Sequence, residues 1–305
     1  MPHNNTPTRR PPVYYIGHAG VPLLFGDDET IIIARQNLRA IGDEILELEP
    51  RPKAIIVFSG HFEAGEIHVN VKDTTHIQHD FVGDFHDTHP YVYKYEWDHQ
   101  DAPKLGNEIW RHLKDNGLKA KRVERGVDHG VWVPFKVMFP PERPLDIPII
   151  QVSTFHGYDL ESQINLGEVF ESLREEGYLI LGSGMAVHSF PSIEEIKNAP
   201  TENERILAKK KVLQETRNFD NFVREAVAEN DPVARKNALL ALESRYEFKR
   251  SHPTVELPGT EFDKISPQHF TPLLVAAGAA GEARVEPLGI DIISPGMSFL
   301  NVRFS

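Results

Sequence analysis

The sequence predicts an α/β fold, a three-layer sandwich with a central, largely parallel or mixed sheet and helices on both faces. Continuous apolar runs of strand length recur at Val13-Tyr14-Tyr15-Ile16, Ala54-Ile55-Ile56-Val57-Phe58, Ile149 to Val152 and Tyr178-Leu179-Ile180-Leu181. Unbroken rather than alternating apolar character marks strands buried on both faces, as in parallel sheets. Amphipathic helical stretches lie between the runs, the first giving a β-turn-α unit. Three of the runs lead through small residues to a histidine: Gly17-His18-Ala19-Gly20, Ser59-Gly60-His61 and Gly182-Ser183-Gly184-Met185-Ala186-Val187-His188. Side chains just past such strands line the crevice where open α/β sheets bind ligands, so the three histidines are expected at one site.

The elements follow in order. Residues 1–12 read as a loose arm without the apolar core of a signal peptide, and residues 13–305 as one catalytic domain. Gly26 to Thr30 caps a helix running to about Leu48, stopped by Pro50 and Pro52. Glu66 to Val71 alternates like a half-exposed strand. Thr74 to Pro90 turns polar and carries His76, His79, His86 and His89; without fixed spacing these read as a loop roofing the crevice rather than a second metal cluster. Leu105 to Asn116 is a helix ended by Gly117, Lys119 to Glu124 a charged strand, and Asp128-His129-Gly130 a tight turn presenting a histidine with Trp132 close behind. A helix from Glu161 to Glu176 ends at Gly177. Thr201 to Tyr246 reads as long charged helices broken at Pro232 and packed on the same sheet. Ser266 fits an N-cap and Pro267 the first helical position, which puts His269 in the first turn of an apolar helix, where the positive helix end disfavours imidazolium. Arg284 to Glu286 and Met297 to Phe304 are expected to close the sheet.

Composition narrows the function. The chain has 305 residues, 40% of them hydrophobic, enough for a sizeable core. Its formal charge of −12 and lack of a basic run disfavour nucleic acid and anionic membrane surfaces, and no apolar stretch approaches the ~20 residues of a membrane span. A soluble, cytoplasmic protein is expected. Cysteine is absent, which removes thiolate ligands and thiol nucleophiles, so a metal would be held by His, Asp, Glu or water. Gly182-Ser183-Gly184 lacks the third glycine of a dinucleotide fingerprint, no Gly-Lys-Ser/Thr follows it, and Ser183 is not in a Gly-x-Ser-x-Gly elbow. Imidazole suits Fe, Zn, Cu and Ni, so a metal site shared by several of the recurrent histidines stands as the rival to five separate structural histidines, the reading that spacing alone favours.

Five ordered segments carry a resemblance: Gly17-His18-Ala19-Gly20; Ser59-Gly60-His61-Phe62-Glu63; Asp128-His129-Gly130-Val131-Trp132-Val133-Pro134; Gly182-Ser183-Gly184-Met185-Ala186-Val187-His188-Ser189; and Pro267-Gln268-His269-Phe270-Thr271-Pro272-Leu273-Leu274. Together they resemble the class III extradiol ring-cleaving dioxygenases (LigB-like), in the branch of 4,5-DOPA dioxygenase-like proteins, over about residues 13 to 304. The resemblance implies a non-haem metal held by His18, His61 and His269, with His188 as acid-base histidine and His129 as a second pocket histidine. Trp132, Ser183, Gly184 and Phe62 are expected to line the substrate pocket. It implies opening of a catechol ring by O2 to a muconic semialdehyde-type product, with Fe(II) as cofactor and Zn(II) the alternative in the purified protein. The partners are then small molecules, catechol and O2; the oligomeric state stays open.

Three departures from the family pattern stand out, two of them where a substrate would be read. Ala19-Gly20-Val21-Pro22 replaces the family's Gly-Ser-Pro turn, the loop at His86 lacks its Gly-Phe-Pro, and Thr254 to Ile265 is extra sequence. The rival readings are a Memo-like binding protein that keeps the fold without ring cleavage, and a zinc hydrolase, because three histidines and an open position also describe catalytic zinc.

Overall fold

The computed structural model describes residues 10–72, 76–81, 85–97, 99–100, 102–157, 159–253, 255–256, 264–265 and 267–305. Strand β1 (Val13–Gly17) leads through a 3-10 turn at Val21–Leu24 into α1 (Glu29–Leu46). Then come β2 (Ala54–Ala64), β3 (Ile67–Asn70), α2 (Pro103–Asp115), β4 (Ala120–Val123), α3 (His129–Met138), β5 (Ile149–Phe155), α4 (Leu160–Glu171), β6 (Tyr178–Gly184) and the short β7 (Val187–His188). The charged helical region is α5 (Phe190–Lys197), α6 (Glu202–Val227), α7 (Pro232–Ala241) and α8 (Tyr246–Ser251). Strands β8 (Val255–Glu256) and β9 (Lys264–Ile265), helix α9 (Thr271–Ala280), and strands β10 (Val285–Pro287), β11 (Ile293–Ser294), β12 (Met297–Ser298) and β13 (Val302–Phe304) complete the described chain.

The large sheet has the order β10-β13-β1-β6-β2-β5-β3-β4. Its centre, β1-β6-β2-β5, is parallel; β13 joins β1, and β3 joins β5, antiparallel. The expected mixed, largely parallel sheet is what the chain builds. Period-2 alternation sends Val13 and Tyr15 of β1 to one face, with Ile56 and Phe58, against α2, α4, α6 and α9; Tyr14 and Ile16 go to the other, with Ile55 and Val57, against α1 and α3. That gives helices on both faces. In α1 the apolar positions Ile31, Ala34, Leu38, Ile41 and Ile45 recur at helical spacing and are buried, and Asp28 caps the helix by accepting the Ile31 amide at 3.1 Å. Helix α9 is apolar all round and buried along its whole length, as a helix between sheet and outer helices must be.

Several elements depart from the sequence expectation, each for a local reason. Strands β2 and β6 do not stop at their Ser-Gly residues but run on through His61 and Gly184, because Ser59 and Ser183 pair with each other and each hydroxyl finds a buried acceptor. Asp128-His129-Gly130 is not a free turn but the start of α3, with Asp128 as N-cap. The break expected at Pro232 falls just before it, between Val227 and Pro232, and Pro232 itself opens α7 behind the Asp231 cap. Helix α9 begins at Thr271, so His269 precedes it instead of lying in its first turn. A start at Pro267 would have left Pro272 in the helix interior, without an amide and against the preceding turn; a start at Thr271 keeps it in the first turn. The proposed Ser266 cap lies outside the described residues. Of the expected N-terminal arm, residues 1–9 lie outside them too, whereas Pro11 is buried and its carbonyl accepts from Arg174 at 3.0 Å. The extra segment contributes the β8-β9 pairing; its other residues are not described. Among the described residues no helix is long and apolar enough to cross a membrane.

Candidate metal centre

Strands β1, β6 and β2 are side by side and parallel, so their carboxyl ends meet at one edge. His18 leaves β1 there with its amide on the Gly184 carbonyl at 3.0 Å, and His61 projects from the far end of β2. His269 comes from the turn before α9, held from below: its carbonyl accepts the Met185 amide at 2.8 Å. Gly182 and Gly184 make this docking possible. A Cβ on Gly182 would strike the Pro272 carbonyl, and one on Gly184 the His269 carbonyl, so these glycines admit a backbone rather than a substrate.

The three rings converge. Their centroids lie 5.1 Å (His18 to His61), 5.4 Å (His18 to His269) and 4.8 Å (His61 to His269) apart, and one ring nitrogen from each falls within 4.8 Å of the others. His18 Nδ1 bonds the Ala19 carbonyl, which puts the proton on Nδ1 and leaves the lone pair on Nε2. Ala19 supports this with a left-handed backbone, φ +51, a conformation that costs a non-glycine residue about 1–2 kcal/mol. The Nε2 atoms of His18 and His61 are buried without a hydrogen-bond partner. Buried polar atoms are rarely left so, and lone pairs converging on one point fit a cation. Burial, then the neighbouring His129, pushes the His18 pKa down to about 3. Burial likewise holds His61 and His269 well below the usual histidine range, aided by His129 at His61 and by His188 at His269. All three are therefore neutral at ordinary pH, as metal-binding imidazoles must be.

His188 and His129 flank this set. The His188 ring stacks on His269 at 3.9 Å and 10° and meets the edge of Phe190 at 4.7 Å. Burial, then His129, lowers its pKa to about 4, so the ring is neutral at ordinary pH. The His129 ring lies 3.8 Å from that of His61. Asp80, from the roof segment, accepts the His129 amide at 2.9 Å and stands 3.1 Å from its Nδ1. His61, Asp80 and His129 thus form a second group able to converge on an ion, sharing His61 with the first.

Beneath them a buried network holds the walls. The fully buried Asp128 accepts from Ser59 Oγ at 2.7 Å, the Gly130 amide at 3.0 Å, Gln151 Nε2 at 2.5 Å and Arg125 at 3.3 Å. Ser59 in turn accepts the His61 amide at 3.1 Å, so the carboxylate fixes the strand end that carries a ligand. Gly130 leaves room for this, since a Cβ there would come within 3.0 Å of the His61 ring.

The expected pocket residues are placed differently. Ser183 donates to the Gly130 carbonyl, Trp132 is fully buried with Nε1 on the Gln78 carbonyl at 2.8 Å, and Phe62 lies under the Arg125 guanidinium at 4.0 Å. With Gly184 occupied by the His269 backbone, these four brace the site rather than present a surface to a ligand. The roof histidines are dispersed: His86 stacks on Tyr93, His89 on Phe25, and His79 packs against Trp132. Among the described residues they join no metal-binding group. Sequence reasoning missed Asp80 and Gln151, which reach their partners across 49 and 23 positions and carry no local motif.

Comparison with known proteins agrees with this geometry. Residues 27–304 match the family model of the catalytic LigB subunit of aromatic ring-opening dioxygenase. The chain is 32% identical over 290 residues to a 4,5-DOPA dioxygenase extradiol-like protein of Schizosaccharomyces pombe, covering 90% of this chain and 87% of that one. It is 31% identical over 271 residues to 4,5-DOPA dioxygenase extradiol of Beta vulgaris, covering 88% and 87%. The fold is shared with the crystal structure of an uncharacterized protein of Escherichia coli K12, at TM-score 0.68 and 20% identity over 97% of this chain and 100% of that one. These relatives favour neither the binding-protein nor the zinc-hydrolase reading. With its family model matched from residue 27 to residue 304, the chain belongs to the LigB family of aromatic ring-opening dioxygenases, whose members are non-haem metal enzymes.

Proposed function

We propose that this protein opens a catechol ring beside its two hydroxyls with O2, giving a muconic semialdehyde-type product, with Fe(II) held by His18, His61 and His269. The observation that carries the reading is the convergence of three neutral, buried imidazoles with His188 and His129 standing against the set but outside it. When bound, Fe(II) supplies a centre that both catechol oxygens can chelate and that reacts with O2. Three neutral donors leave the positive charge to be met by the substrate, which favours an ionised catechol. His188, neutral and stacked on a ligand ring, takes the substrate hydroxyl proton at its free ring nitrogen and returns it as the ring opens. His129 bounds the pocket on the side of His61 and faces the reacting oxygens. The aromatic roof, with Phe81 6.3 Å from the His129 ring, keeps water from the site.

The described cations near the site are committed elsewhere, which supports a neutral or zwitterionic catechol over a ring-carboxylate. Arg125 bonds Asp128 and Gln78, Lys136 bonds the Glu96 carbonyl, Arg250 bridges Glu195 and Glu215, and Arg245 covers Phe222. The test is anaerobic Fe(II) loading followed by oxygen uptake and product absorbance with 4-methylcatechol, DOPA and protocatechuate, with a Zn(II)-loaded sample alongside. Turnover is expected with iron only, with protocatechuate poorest. Full iron occupancy with no oxygen uptake on any catechol overturns the function, and a clear preference for protocatechuate overturns the substrate reading.

A further inference from the structure

Asp80 is unlike the other acidic residues of the roof. Its Oδ1 accepts the His129 amide, one of the donors that the first turn of a helix leaves without an internal partner, and the same oxygen stands 3.1 Å from the ring Nδ1. The helix start already has its cap in Asp128, which takes the Gly130 amide. Asp80 is therefore not needed to begin α3, yet it crosses 49 positions to reach this one residue. Its neighbour Phe81 packs edge-on to both His129 and Trp132, so the segment is seated on the pocket wall. The His129 Nδ1 is buried and makes no in-line hydrogen bond; the Asp80 carboxylate 3.1 Å away is the charge that faces it.

We propose that Asp80 is the positioning residue for His129: its carboxylate, 3.1 Å from Nδ1, favours the ring's proton there, leaves the lone pair on Nε2, and limits the ring's rotation. The inference rests on the proposed role of His129 in ring opening. A carboxylate beside one imidazole nitrogen fixes tautomer and rotation together, and such outer partners are worth roughly 10–100-fold in activity.

The test reads the tautomer directly. Protein labelled with 15N-histidine and loaded with zinc, which is diamagnetic, is examined by long-range proton-nitrogen correlation, with the His129 signals assigned from His129→Asn. Wild type is expected in the Nδ1–H form. Asp80→Asn, which turns an amide donor toward Nδ1, is expected to shift the ring to the Nε2–H form, and Asp80→Glu to return it at least in part. On iron-loaded protein, Asp80→Asn should lower kcat about 10- to 100-fold with little change in catechol KM. A wild-type ring in the Nε2–H form, or an unchanged tautomer in Asp80→Asn and Asp80→Ala, overturns the proposal. So does zinc lost on Asp80→Ala, since Asp80 would then be a ligand. If no catechol is turned over, the ring-opening reading fails while the tautomer result still decides the role of Asp80.

Discussion

Removing one imidazole at a time separates holding an ion from using it. His61→Ala should fold, because the strand around it is fixed by pairing on both sides, yet lose metal affinity by more than the roughly 10–100-fold that outer partners cost. Metal analysis after dialysis checks this, and full occupancy in the variant would remove His61 from the ligand set. His188→Ala should do the reverse. Its ring packs against His269 without joining the converging nitrogens, so metal content should hold while kcat/KM falls about 10²–10⁴-fold, the usual worth of an acid-base group. Near-normal turnover in that variant would assign the proton transfer elsewhere. The pair matters because all five histidines look alike in sequence, each following a glycine or standing at an element end. What distinguishes them is where their ring nitrogens end up, and that is set by long-range contacts.

At the scale of elements, the apolar runs of β1, β2, β5 and β6 were legible because a strand buried on both faces must be apolar throughout. The start of α9 was not. Pro267 and Pro272 both satisfy the local rule for a first turn, and the docking of the His269 carbonyl on Met185, beside Gly184, selects the second. The Ser-Gly residues of β2 and β6 misled for the same reason: read locally they end a strand, whereas with neighbours on both sides they continue it and admit the start of α9. Gly184→Ala tests this account. The added methyl has no room against the His269 carbonyl and should cost about 1–3 kcal/mol as an overpacked site, while weakening metal binding by displacing the ligand. Gly65→Ala, which meets nothing within 4 Å, is the control. Equal thermal midpoints and metal content in the two variants would refute the docking role.

For the whole molecule, an ion on His18, His61 and His269 would bind the folded chain and not the unfolded one. At a free concentration 1,000 times its Kd it would add about 4 kcal/mol to stability. A chelator should therefore lower the thermal midpoint of the wild type by several degrees and leave His61→Ala unmoved; equal shifts would mean that the ion is held elsewhere. The order of the strands has a further consequence, in time rather than energy. β1 lies between β6 and β13, and the third imidazole arrives just before α9, so the first half of the chain contains two of the three histidines but not the complete three-imidazole set. At ordinary rates of synthesis, roughly 5–20 residues per second, His269 emerges about 10–40 s after His61. Until then the ribosome holds a nascent chain with two of the three converging imidazoles. On the proposed reading, completion of the three-imidazole site is thus a late event in the synthesis of each molecule, and a nascent chain stalled before Gln268 should lack the affinity that His269 confers.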